Sequence, residues 1–187
     1  MKKTIAVLTI ALSTISLFGC SSSKTNTTDN QTEVATTKKS FDIELYKKSV
    51  GILNDSIMET SILVSNMAQY ENNYWSNLEK IGGTIDYKEL VDKAYNWLEK
   101  KSDTKKEDIE KSYSNICNKF KEVSLQEVSG KEAEELQSSS KELFQAFDSL
   151  YDLATNPTGD NSSFVSNYNK YIETIKSTNN NISVYLK

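Results

Sequence analysis

The chain has no histidine and no arginine. Without histidine there can be no Ser/His/Asp or Cys/His arrangement, no zinc site of the usual His-containing kind, and no side chain whose ordinary pKa lies near neutrality. Without arginine there is no bidentate fork for phosphate or carboxylate. The 22 basic side chains are all lysine, against 26 acidic ones, for a net charge of −4 and a pI near 5.1. No basic stripe offsets this balance, which argues against nucleic acid as a partner, because phosphate neutralisation is what such binding rests on. Glycine-rich phosphate loops are missing too: Gly82-Gly83 precedes a helical pattern but lacks the lysine and Ser/Thr that follow in a P-loop. The acidic residues Glu132, Glu134 and Glu135 stand at near-consecutive helical positions, so they point in different directions and read as a solvated face. No residue is assigned to catalysis, to a cofactor or to a metal, and the chain reads as a non-enzyme.

What is present begins with an address. Lys2 and Lys3 form a positive start, followed by an apolar run from Thr4 to Phe18, 15 residues long and shorter than the ~20 that a spanning helix needs. It reads as an export signal. Its end, Leu17-Phe18-Gly19-Cys20, resembles the lipobox of bacterial lipoproteins. Leu17, Gly19 and Cys20 match, whereas Phe18 stands where that pattern has a small or β-branched residue. The resemblance implies that Cys20 carries a diacylglyceryl group and opens the mature chain, which is then held by lipid at the outer face of the cytoplasmic membrane. The other reading of these residues is an ordinary cleaved signal with an incidental cysteine. Loss of the leader, residues 1–19, takes the net charge from −4 to −6.

Residues 20–40 form the next segment. From Ser21 to Ser40 only Val34 and Ala35 are apolar among serine, threonine, asparagine and lysine, too little to bury, so a flexible tether is expected. Its root-mean-square span would be on the order of 25 Å. With Cys20 taken by lipid, Cys117 has no partner for a disulfide, and with no histidine to activate it a packed or half-buried thiol is expected. Stability must then come from packing.

From Phe41 to Lys187 the apolar pattern is helical. Ile43, Tyr46, Val50, Leu53, Ile57, Thr60, Val64, Met67, Glu71, Tyr74, Leu78 and Ile81 step by threes and fours, the seam of one long amphipathic helix spanning roughly 60 Å. Gly82-Gly83 stops it. Three capping-box patterns, Asp86-x-x-Glu89, Thr104-x-x-Glu107 and Ser129-x-x-Glu132, open three further helices, and Ser162/Ser163 cap a fifth. Period-two alternation is nowhere sustained. The expectation is an all-α single bundle of about five helices in one domain, 41–187. Thr60, Glu71, Ser140 and Thr178 interrupt the seams. They mark places where the long first helix outruns its neighbours or where core layers are thin, or else a polar cleft inside the bundle.

Tyr70, Trp75 and Trp97 fall beside or off the seams. They are the candidate partner-binding residues, because tryptophan and tyrosine are enriched among interface anchors. The alternative is that Trp75 and Trp97 widen the core. Leu150-Tyr151-Asp152-Leu153-Ala154-Thr155-Asn156-Pro157-Thr158-Gly159, followed by Ser163-Phe164, resembles a helix-turn-helix hairpin of small helical proteins of Gram-positive bacteria and their phages, some of them similar to phage superinfection-exclusion lipoproteins. Tyr70, Tyr74 and Trp75 resemble the aromatic segment of the first hairpin in that group. The resemblance implies a lipid-anchored helical domain that binds an incoming phage tail component and blocks passage of the genome. The alternatives are a host envelope lipoprotein with a structural or adhesive role, and an immunity lipoprotein that sequesters a bacteriocin.

Overall fold

A computed structural model describes residues 41–187 of the chain. The leader, the lipobox with Cys20, and the tether lie outside the described residues. Five α-helices follow one another: α1 Ile43–Lys80, α2 Tyr87–Ser102, α3 Lys106–Ser124, α4 Lys131–Thr155 and α5 Asn161–Tyr185. The all-α bundle expected from the apolar stepping is what the chain forms. No helix among the described residues is long and apolar enough to cross a membrane.

The organising element is α1, 38 residues and about 57 Å long, which packs against each of the other four helices. Tyr70 meets Trp97 and Trp75 meets Tyr87, so α2 runs antiparallel along the C-terminal half of α1. Lys119 of α3 donates to Ser56, which places α3 against the N-terminal half. The helices α2 and α3 therefore lie end to end, and together they fill the place of one long helix beside α1. The break between them is at Asp103, the one non-glycine residue with a left-handed backbone among those described (φ 55°), a conformation that aspartate tolerates better than most. Antiparallel to α3 runs α4, with Tyr113 stacked on Tyr151 and Phe120 on Phe144 at centroid distances of 3.8 and 4.0 Å. Packing of α5 back along both α4 and α1 closes the bundle.

This arrangement corrects the account of the seam interruptions. Thr60, Glu71, Ser140 and Thr178 are all buried; they do not mark an overhang, because α2 and α3 in series cover α1. Ser140 donates its hydroxyl to the Leu136 carbonyl at 2.7 Å and so needs no cleft. The seam ends earlier than expected at one point: Ile81 is the C-cap of α1 and 80% exposed.

The caps also differ from expectation. Asp86 accepts from the Glu89 amide at 3.1 Å, but the Glu89 carboxylate turns to Lys93 at 3.2 Å instead of closing the box. For α3 the box shifts by one residue, with the Lys105 amide donating to the Asp108 carboxylate; Lys105 has no acceptor to return the bond. The N-cap of α4 is Gly130 (φ 96°), not Ser129, and Glu132 is drawn away to Lys47 at 2.7 Å. Asp160, not Ser162 or Ser163, caps α5. It accepts from the Ser163 amide and from both serine hydroxyls, and the Ser162 hydroxyl and Ser163 bonds hold its carboxyl down at about 2. Asp86→Ala is therefore expected to cost about 1 kcal/mol, whereas Ser129→Ala should leave the urea midpoint unmoved; equal losses would contradict the cap assignment.

Between α4 and α5 the turn forms as its composition demands. After the last residue of α4, Pro157 is buried and Gly159 takes a positive φ of 86°, open to glycine without steric cost. Two bonds tie the turn to the rest of the bundle. The Tyr87 hydroxyl donates to the Gly159 carbonyl at 2.6 Å, and the Asn161 amide donates to the Ser76 hydroxyl at 2.9 Å. The start of α2, the end of α1 and the α4–α5 turn thus meet at one end of the helical bundle.

Candidate functional site

The three candidate aromatic residues part company in the structure. Trp75 is only 3% exposed, wedged between Tyr87 and Phe164 at centroid distances of 5.5 and 5.9 Å. Its ring belongs to the core, which corrects its candidacy for partner binding. The physical reason lies in the architecture: α1 is flanked by neighbours on several sides, so its buried arc extends past the seam to positions beside it.

Tyr70 and Trp97 remain half-buried, and the structure brings them together. Their rings stack at 5.3 Å with 27° between planes, and Tyr70 also stacks on Tyr74 at 6.3 Å and 17°. Two lysines complete the group. Lys101 lies 4.5 Å from the centre of the Trp97 ring, and Lys93 lies 5.3 Å from that of Tyr74. Within α1, Tyr70 and Tyr74 are four residues apart; within α2, so are Trp97 and Lys101, so each pair shares a helix face. The result is a ledge along the α1–α2 seam, three aromatic rings edged by two cations. Tyr74 stood in the sequence as a seam position and beside Tyr70 in the aromatic segment, but not as a candidate binding residue; Lys93 and Lys101 went unnoticed, and their spacing of four residues to either side of Trp97 was the available signal.

Beneath this seam is an unusual core residue. Glu71 is fully buried, and neither carboxylate oxygen has a hydrogen-bond partner. Burial alone pushes its pKa up to about 9, because a charge without a partner is poorly tolerated in an apolar interior. Tyr95 of α2 is also raised, by burial first and then by the charges of Tyr151, Glu110 and Glu71. Lys106 sits over the Tyr95 ring at 5.2 Å.

Elsewhere two tyrosine hydroxyls tie helices together through carboxylates. The Tyr113 hydroxyl donates to Asp148, which raises the pKa of the phenol. Tyr185 donates to Glu135, lowering that carboxyl, and Lys131 adds to the effect. Cys117 is half-buried and free. Among the described residues, no group of three or more Cys, Asp or Glu side chains is placed to hold a metal ion. Glu132 and Glu135 are instead paired with Lys47 and Lys131. The lipidation site proposed at Cys20 lies outside the described residues. No family model, no curated protein and no solved structure matches this chain.

Proposed function

We propose that this protein is a lipid-anchored, non-enzymatic binding module at the outer face of the cytoplasmic membrane, and that it recognises a protein partner through the Tyr70–Trp97 ledge. The observation that carries the reading is the ledge itself. Stacked tyrosine and tryptophan side chains supply rigid contact area at low conformational cost, and such residues dominate interface hot spots. Lys93 at its edge is already paired with Glu89, so it is Lys101, over the Trp97 ring, that favours an acidic contact from the partner, by charge complementarity. That feature weighs against a cationic bacteriocin at this face. Anchoring rests on the lipobox-like Leu17-Phe18-Gly19-Cys20, and the flexible tether expected after it would let the domain reorient toward an incoming partner. The likeness to superinfection-exclusion lipoproteins makes a phage tail component the partner proposed, with arrest of DNA injection as the outcome.

The test is expression in a sensitive host, followed by challenge with a broad phage panel and with cationic bacteriocins. For at least one phage, plaque counts and DNA injection should fall while adsorption is unchanged. Unchanged plaques and unchanged injection across the panel would refute the exclusion reading, and protection against a bacteriocin alone would favour the immunity alternative. Cys20→Ala should release the protein from the membrane fraction; retention of the variant there would contradict the lipid anchor.

A further inference from the structure

The helix α2 is the least embedded part of the bundle. Each of α3, α4 and α5 packs against two or more other helices, whereas α2 packs closely against α1 alone. It buries Leu90, Ala94, Tyr95 and Leu98, and away from α1 the Tyr87 hydroxyl ties its first residue to the Gly159 carbonyl. Both of its ends are jointed. Before it come Gly82 and Gly83, with Gly82 at φ 70° and open space where a side chain would begin; after it comes Asp103 at φ 55°. An element with few buried side chains and a joint at each end is the kind that opens without unfolding the rest.

Under this arm lies the Glu71 carboxyl, fully buried and with neither oxygen bonded. The titratable groups around it are of no help to a charge there. From α2 comes Tyr95, whose phenol is raised by burial first and also feels Tyr151 of α4, Glu110 of α3 and Glu71 itself. Lys106 of α3, over the Tyr95 ring at 5.2 Å, is paired with Glu110 at 3.7 Å, and Lys93 of α2 is turned to Tyr74 and paired with Glu89. On α4, Asp148 accepts from Tyr113. On α5, the Tyr168 hydroxyl is bound to Ser65 and Gln69 on the opposite flank of α1. Burial is accordingly the sole cause of the raised Glu71 pKa, and water is what remains to stabilise its charge. Lifting α2 admits water by parting one helix interface; lifting α4 would part three.

We propose that α2 is a hinged arm whose closure on α1 takes up one proton at Glu71, so that the Tyr70–Trp97 ledge comes apart as pH rises. With the arm open Glu71 meets water and titrates at its ordinary 4.5; with the arm closed it keeps the proton up to about 9. The support that this proton gives to closure is fully present below the lower value and falls away between the two. Across that interval the opening constant grows about tenfold per pH unit, and it levels off once the closed form ionises as well. Opening draws Trp97 and Lys101 of α2 away from Tyr70 of α1, whose stack at 5.3 Å is the centre of the ledge. Control of partner binding by this motion rests on the ledge reading; the motion itself does not.

The 187-residue chain with Cys20→Ser, which keeps it free of lipid, is followed by native-state amide hydrogen exchange at pH 5, 7 and 8.5, each rate divided by that of an unstructured peptide at the same pH. The amides of Ala94, Tyr95 and Leu98 are expected to exchange through an opening that leaves α4 and α5 protected, and its equilibrium constant should rise about tenfold per pH unit. Glu71→Gln should keep the opening and lose its slope; Glu71→Leu takes its place if the amide variant does not fold. Amides of α2 as protected as those of α4 would overturn the inference, because α2 would then be released only with the whole bundle. So would an α2 opening constant that is flat from pH 5 to 8.5 in the native chain, or a slope that survives removal of the carboxyl. Partner binding at the ledge is tested separately, by Tyr70→Ala/Trp97→Ala, so failure of the arm and failure of the ledge are told apart.

Discussion

Glu71→Leu is expected to raise the stability of the bundle at pH 7 by about 3 kcal/mol and to remove most of its dependence on pH between 5 and 9. In the folded protein the Glu71 carboxyl keeps its proton up to about 9, against an ordinary value of 4.5. Between those two values the folded state binds a proton that the unfolded chain has released, so stability is greatest below the unfolded pKa. It falls by about 1.4 kcal/mol for each unit of rising pH until the folded carboxyl also ionises. Glu71→Gln separates the two contributions, since it abolishes the titration while leaving a buried polar group to satisfy. Urea denaturation at pH 5, 7 and 8.5 checks the account. The native chain should lose stability steadily across the series, the glutamine variant should show a flatter profile, and the leucine variant should be the most stable at pH 7. Parallel profiles for all three would mean that Glu71 finds a partner in solution. The buried tyrosines do not blur the window, because Tyr46 is held at about 12 by burial and Tyr95 is raised as well.

The two tryptophans should respond to truncation in opposite registers. Trp75→Ala empties a site enclosed by Tyr87 and Phe164 and is expected to cost about 3–5 kcal/mol, the range for removing a large buried aromatic. Trp97→Ala loses mainly its stack on Tyr70 and the approach of Lys101, together about 1–2 kcal/mol. These are the only two tryptophans in the chain, so each variant reports the fluorescence of the other. The emission left in Trp97→Ala should be blue-shifted and shielded from iodide, and that left in Trp75→Ala red-shifted and quenched, provided the latter is measured where it remains folded. Equal stability losses would contradict the division into core ring and ledge ring.

The periodicity was enough to place the five helices, because α1, α4 and α5 are long amphipathic segments and each break carries glycine, proline or a cap. It did not show that α2 and α3 share one place beside α1. That depends on which seams meet, and a seam does not encode its partner. Capping boxes were the least dependable signal. In a chain rich in serine, threonine and glutamate the four-residue pattern recurs by composition, and the glutamates at Glu89 and Glu132 found lysines in space that outweighed a local bond. Glu71 was visible as a polar residue in an apolar seam, yet its lack of any partner depends on the identity of every neighbour packed around it. The ledge was half legible: Tyr70 and Trp97 stood off the seams, while their stacking needs the antiparallel register of α1 and α2.

Acting through the ledge is the central claim, and one measurement bears on it directly: DNA injection into host cells that carry either the native protein or Tyr70→Ala/Trp97→Ala, at equal levels in the membrane. The account predicts that a phage blocked by the native protein delivers its DNA freely into cells carrying the double variant, with that variant still folded by circular dichroism. A double variant that is folded, anchored and still fully protective would contradict it.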